Sequence, residues 1–165
     1  MPVLVMKFGG TSVANLDRIA RAAKRVGVEV AKGYDVIVIV SAMSGKTNEL
    51  VGWVNETSPL FDAREYDAVL ASGETVTAGL MALRLQEMNI PARSWHGWQV
   101  PLQTTANHSA ARIENIGTDN INAKFGEGMQ VAVVAGFQGI SDEGRITTLG
   151  PVSYTHLRAH ETKCY

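Results

Sequence analysis

Residues 35–50 read DVIVIVSAMSGKTNEL: an acidic residue, five apolar ones rich in β-branching, a loop of small residues, then the start of a helical pattern. The run Val36–Val40 is too short for a core helix and is bounded by Gly33 and Ser41, so Asp35–Val40 reads as a buried strand. Upstream, from about Asn15 to Lys32, Leu16, Ile19, Ala20, Ala23, Val26 and Val30 recur at helical spacing. Arg18, Arg21, Lys24, Arg25 and Glu29 take the other face, and Gly33 stops the helix. Before it, Val3–Phe8 is a second buried strand, closed by Gly9 and Gly10. Strand, helix, strand in that order implies a right-handed crossover and a parallel sheet covered by helices. The fold class predicted is α/β: a three-layer α/β/α sandwich on a mainly parallel sheet.

The rest of the chain fits that plan. Thr47–Glu56 is predicted helical, and Arg64–Asn89 is a longer helical stretch bent or interrupted near Ser72-Gly73-Glu74. Pro91 to Thr105 reads as short strands with turns, Asp119–Phe125 as a short helix, and Gln130–Ala135 as a third buried strand. Ile146–Leu149 is a candidate brief strand.

Composition narrows the function. The chain has 165 residues, one domain's length, with a formal net charge of −1 and a pI of about 6.4. No basic footprint points to nucleic acid. The first apolar stretch is too short for a signal peptide, and no unbroken apolar run approaches the ~20 residues of a membrane span. Cys164 is the single cysteine, which excludes an internal disulfide framework. These features predict a soluble, cytoplasmic protein.

Three strands run into glycine-rich or small-residue loops: KFGGTS (7–12), SAMSGKTN (41–48) and GFQG (136–139). Ligands of open α/β sheets collect beyond the carboxyl ends of the strands, so these loops are predicted to line one crevice. In the first, Lys7 projects a cation and Gly9 and Gly10 let backbone amides approach an anion; the plain alternative is a tight turn beside a surface lysine. The second resembles the P-loop pattern G-x-x-x-x-G-K-[ST], but Val40 stands where its first glycine belongs. Without that turn Lys46 has no phosphate cradle, and the P-loop reading fails. Ser41, Ser44 and Thr47 are left as hydroxyls that either cap the following helix or bind a polar substrate. Glu74, among Leu70, Ala71, Val76 and Leu80, is either a solvent-facing carboxylate or a buried one in need of a partner such as a bound ammonium. Trp95, His96 and Trp98 are read as packing residues and His108 as a surface or capping residue. No Cys or His spacing suits a metal.

Taken together, MKFGGTSV (6–13), VIVSAMSGKTNEL (38–50), LASGE (70–74), VAGFQG (134–139) and GRITTLG (144–150) resemble the aspartate kinases of the amino-acid kinase superfamily, over about residues 1–150. The resemblance implies ATP-dependent phosphorylation of the β-carboxyl of L-aspartate with Mg2+. That reaction is the entry to lysine, threonine and methionine synthesis, carried out by a homo-oligomer. By position it implies that Lys7 meets the transferring phosphoryl group, that Phe8, Gly9 and Gly10 form the ATP phosphate loop, and that Thr11 and Ser12 adjoin it. Ser41 lies in the active-site loop, Thr47 matches a substrate-binding position, and Glu74 matches the carboxylate that receives the substrate amino group. Relatives acting on glutamate-like or carbamate substrates, or a non-catalytic module pairing with intact subunits, are the alternatives.

The pattern breaks after Gly150. Pro151 stands where the family has a substrate-gripping arginine, and residues 151–165 depart from the family altogether. Residues 1–150 are therefore expected to be the amino-terminal portion of a kinase domain, with a foreign tail. Such a piece is expected to be inactive alone and weakly stable, exposing a sheet edge and an apolar face.

Overall fold

A computed structural model describes residues 1–150. Strands β1 (Val3–Phe8), β2 (Asp35–Val40), β3 (Ala92–Trp95) and β6 (Val131–Ala135) form a parallel sheet in the order β1-β2-β6-β3. A second, mixed sheet of order β5-β4-β7-β8 is built from β4 (Leu102–Thr104), β5 (Ile113–Ile116), β7 (Gln138–Ile140) and β8 (Ile146–Thr148). The helices are α1 (Leu16–Ala31), α2 (Lys46–Thr57), α3 (Ala63–Glu87) and α4 (Asp119–Gly126).

Alternation along the strands sorts two cores. Val36, Val38 and Val40 of β2 with Val131 and Val133 of β6 meet Ile19, Ala23 and Val26 of α1 and Ala78, Met81 and Leu85 of α3. The opposite face, through Ala132, Val134 and Ile37, packs on Ile121 and Phe125 of α4 and on Val100. The α/β/α order is thus observed, with α4 the helix on that second face among the described residues. It covers β6 and β3 but not β1, where Val3 and Val5 are 47% and 40% exposed.

Local chemistry sets the boundaries. The Asn15 side chain accepts the Arg18 amide at 2.9 Å, capping α1, and Gly33 at φ +92° takes the chain out of it. The bend expected at Ser72-Gly73-Glu74 is absent: α3 is one unbroken helix. Gly73 is there for clearance instead, since a Cβ at that point would stand 3.1 Å from the Ala42 Cβ and 3.3 Å from Leu50 Cδ1. Gly136 and Phe137 make the turn after β6, but Gln138 and Gly139 belong to β7 rather than to a loop. The strands β5 and β7 escape sequence reading because each is short and has no apolar alternation.

Helix α3 is long and apolar enough to cross a membrane by length and composition, although Asp67, Glu74 and Arg84 break its apolar run. Ten of its residues are buried inside the protein, the behaviour of a core helix. The expectations for residues 151–165, including Pro151 in the arginine position, lie outside the described residues.

Candidate active site

Beyond the carboxyl ends of β1, β2 and β6 lies a cleft of about 430 Å³, lined by Gly9, Gly10, Ser41–Gly45, Thr47, Leu70, Glu74 and Phe137. All three loops reach it. Ser41 N–H donates to the Phe8 carbonyl at 3.2 Å and Gly136 N–H to the Val40 carbonyl at 3.0 Å, stitching the loops together at its floor. Gly10 passes so close to the second loop that a Cβ would lie 2.9 Å from the Ala42 carbonyl oxygen. A larger hollow of about 530 Å³ along β3, beside Arg93 and Lys124, has no such convergence of loops.

Of the residues singled out in the sequence, Gly9, Gly10, Ser41, Thr47 and Glu74 come together in this lining. Lys7 is half-buried at the end of β1, near enough to Glu74 for its ammonium to favour that carboxylate's ionised form. Phe8 is buried and its ring belongs to the main core, so only its backbone borders the site. Thr11 and Ser12 are exposed in a 3-10 turn over Gly10–Val13, with the Ser12 amide donating to the Gly9 carbonyl at 2.9 Å.

The capping account of the hydroxyls does not hold. Gly45, at φ +81°, is the N-cap of α2 and makes no side-chain cap. The hydroxyls of Ser41, Ser44 and Thr47 make no hydrogen bond among the described residues, and all three residues line the cleft.

Glu74 is 3% exposed, which settles its orientation: it faces inward. Its Oε2 accepts the Phe137 amide at 2.6 Å. Burial pushes its pKa up to about 8, against the opposing pull of the Phe137 N–H and the Lys7 ammonium.

Two residues were missed from sequence. Phe137 lay in a recognised loop, but nothing in its type marked its backbone as a partner for Glu74. Asp67 is fully buried on α3, and the signal that marks it is its spacing of seven residues, two helical turns, from Glu74. His108 is not a surface residue: its side chain is 6% exposed and its Nδ1 donates to Asp67 Oδ2 at 2.7 Å. Trp95 packs in the second core as expected, whereas Trp98 is 42% exposed and stacks on His96.

The family model of the amino acid kinase family matches residues 2–154. The chain belongs to the amino acid kinase family. Within this family it is 50% identical, over 153 residues, to the aspartokinase of Rickettsia conorii, a match covering 91% of this chain and 38% of that protein. The crystal structure of aspartate kinase from Synechocystis superposes with a TM-score of 0.73 at 40% identity, covering 91% of this chain and 24% of that one. E. coli aspartokinase III in complex with aspartate and ADP gives 0.78 at 22% identity, over 92% of this chain and 44% of that one, a likeness of fold. The chain therefore spans well under half the length of these relatives.

Proposed function

We propose that this chain is the amino-terminal portion of an aspartate kinase, the protein that transfers the γ-phosphoryl group of ATP to the β-carboxyl of L-aspartate in lysine, threonine and methionine synthesis. The observation that carries the reading is Glu74, a buried carboxylate in the wall of a cleft where the three glycine-containing strand-end loops meet. The likeness to aspartokinases supports it, as does the aspartate and ADP held by the E. coli enzyme.

In this reading Glu74 receives the ammonium of L-aspartate, and the unpartnered hydroxyls of Ser41 and Thr47 donate to its carboxylates. The amides of Gly9 and Gly10, with the Phe8 backbone, cradle the phosphates of ATP, and Thr11 and Ser12 flank them. Lys7 neutralises charge as it develops on the transferring group. A β-carboxylate oxygen attacks the γ-phosphorus, the new oxygen–phosphorus bond forms, and the bond to ADP breaks. The chain's residues position and neutralise; none needs to bond covalently to substrate.

The cradle suits a nucleotide's phosphates, because Gly9 is exposed with open space where a side chain would stand, while Gly10 sits close against the second loop. No group of three His, Cys, Asp or Glu able to hold a metal occurs among the described residues. Mg2+ is accordingly assigned to the phosphates of ATP rather than to a protein cage. The working setting is the cytoplasm and the working form a homo-oligomer.

Calorimetric titration of this chain with L-aspartate and L-glutamate, in the presence of Mg-ADP, tests the reading. L-aspartate is expected to bind at least about tenfold more tightly, since one methylene must be excluded, and Glu74→Gln to abolish the binding. Equal or tighter binding of L-glutamate, or an unaffected Glu74→Gln variant, would overturn it.

A further inference from the structure

We infer that Asp67 is a positioning residue for the substrate-binding wall: by clamping β8 to α3 it holds Phe137, and through Phe137 the carboxylate of Glu74. The inference rests on the reading of Glu74 as the receptor of the substrate ammonium.

Asp67 and Glu74 lie two helical turns apart on one face of α3, and both are buried. Asp67 is saturated. Thr148 Oγ1 donates to its Oδ1 at 2.5 Å, the Ser109 amide to both oxygens at 3.0 Å, and His108 Nδ1 to Oδ2 at 2.7 Å. A carboxylate only accepts, so the proton of that last bond sits on Nδ1. These contacts fasten β8 and the loop before β5 to the helix.

The next links are backbone. The Thr148 carbonyl accepts the Ala111 amide at 3.1 Å, and the Gly150 amide returns to the Ala111 carbonyl at 3.2 Å, so loop and strand move together. The Leu149 amide donates to the Phe137 carbonyl at 3.0 Å. The Phe137 amide then donates to Glu74 Oε2 at 2.6 Å. Asp67, Thr148, Leu149, Phe137 and Glu74 therefore form a ring of contacts closed by α3 itself. One residue, Phe137, is held through the peptide units on both its sides, and it lines the cleft.

A buried carboxylate is a costly tether. An apolar residue at 67 would fill the same space without desolvating a charge. What a carboxylate adds is directional: three short contacts that admit one arrangement of β8 against α3. Substrate recognition is sensitive to such placement, because small displacements of a receptor group cost large factors in binding and rate.

The variants Asp67→Asn, Thr148→Val and Thr148→Ser of the 165-residue chain test the inference with two readouts. In amide NMR spectra, Asp67→Asn and Thr148→Val are expected to shift the Phe137 amide proton, whereas Thr148→Ser, which keeps the hydroxyl, leaves it near its original position. By calorimetry the first two are expected to weaken L-aspartate binding roughly tenfold and to leave Mg-ADP binding unchanged; a merely structural role would weaken both ligands together. A Phe137 amide unmoved in folded Asp67→Asn and Thr148→Val, or unchanged L-aspartate affinity in both, would overturn the inference. Should the unaltered chain bind no L-aspartate, the functional reading fails separately, and the Phe137 resonance alone decides the role of Asp67.

Discussion

Burying Glu74 costs stability in a pH-dependent way. Its pKa in the folded chain, about 8, lies above the 4.5 of an ordinary glutamate. Between those values the folded state holds the proton that the unfolded state has released, so stability falls as pH rises from 4.5 to about 8. The full effect is on the order of 4–5 kcal/mol. Glu74→Gln keeps an acceptor for the Phe137 amide and removes the charge. We expect the variant to melt higher than the parent at pH 8 and to match it near pH 5, in thermal scans across that range. In the proposed function the same ionisation governs ligand binding. An incoming ammonium favours the ionised carboxylate, so L-aspartate affinity is expected to rise about tenfold per pH unit below 8 and to level off above it, read by titration calorimetry. At this scale the sequence showed that a carboxylate stood among apolar residues. It did not show which way the side chain pointed, because helical periodicity in α3 is blurred by burial on several sides.

Among the elements, α1 and the first two strands were legible because their patterns are clean: a two-sided helix, and apolar runs closed by glycines. Asn15→Ala is expected to lower stability by about 1 kcal/mol through loss of the α1 cap, measured by urea unfolding. The loop after β1, proposed above to cradle phosphates, supports a sharper prediction. In Gly10→Ala the new Cβ meets the Ala42 carbonyl, so the first two loops must part. Mg-ADP binding is expected to weaken at least tenfold while the helical circular dichroism signal is kept. Gly73 was read as a break in α3 because glycine inside a helical pattern usually costs about 1 kcal/mol. Here the helix bears that cost, and the bare backbone admits Ala42 and Leu50. Clearance of that kind involves residues far apart in the chain, and no window along the sequence contains it.

For the whole molecule, the open flank is β1. Among the described residues, Val3 and Val5 share the sheet face that α4 leaves uncovered, and β1 is an edge strand. Exposed apolar residues on a free edge invite pairing with another chain. The double variant Val3→Thr, Val5→Thr keeps β-branched shape and is expected to reduce self-association in light scattering, with thermal stability changed by less than about 1 kcal/mol.

The sequence by itself determined the α/β plan, the three strand-end loops and the rejection of a P-loop at SAMSGKTNEL. All of these rest on local periodicity, glycine placement and motif spacing, which act between near neighbours in the chain. Only the tertiary structure decided that Glu74 is dry and bound by Phe137, that α3 runs straight, and that Asp67 and His108 are buried together. Those outcomes depend on contacts across 41 to 81 residues of chain. Desolvation and hydrogen-bond partnership are properties of the packed surroundings, and they exist only once α3, β8 and the turn after β6 have met.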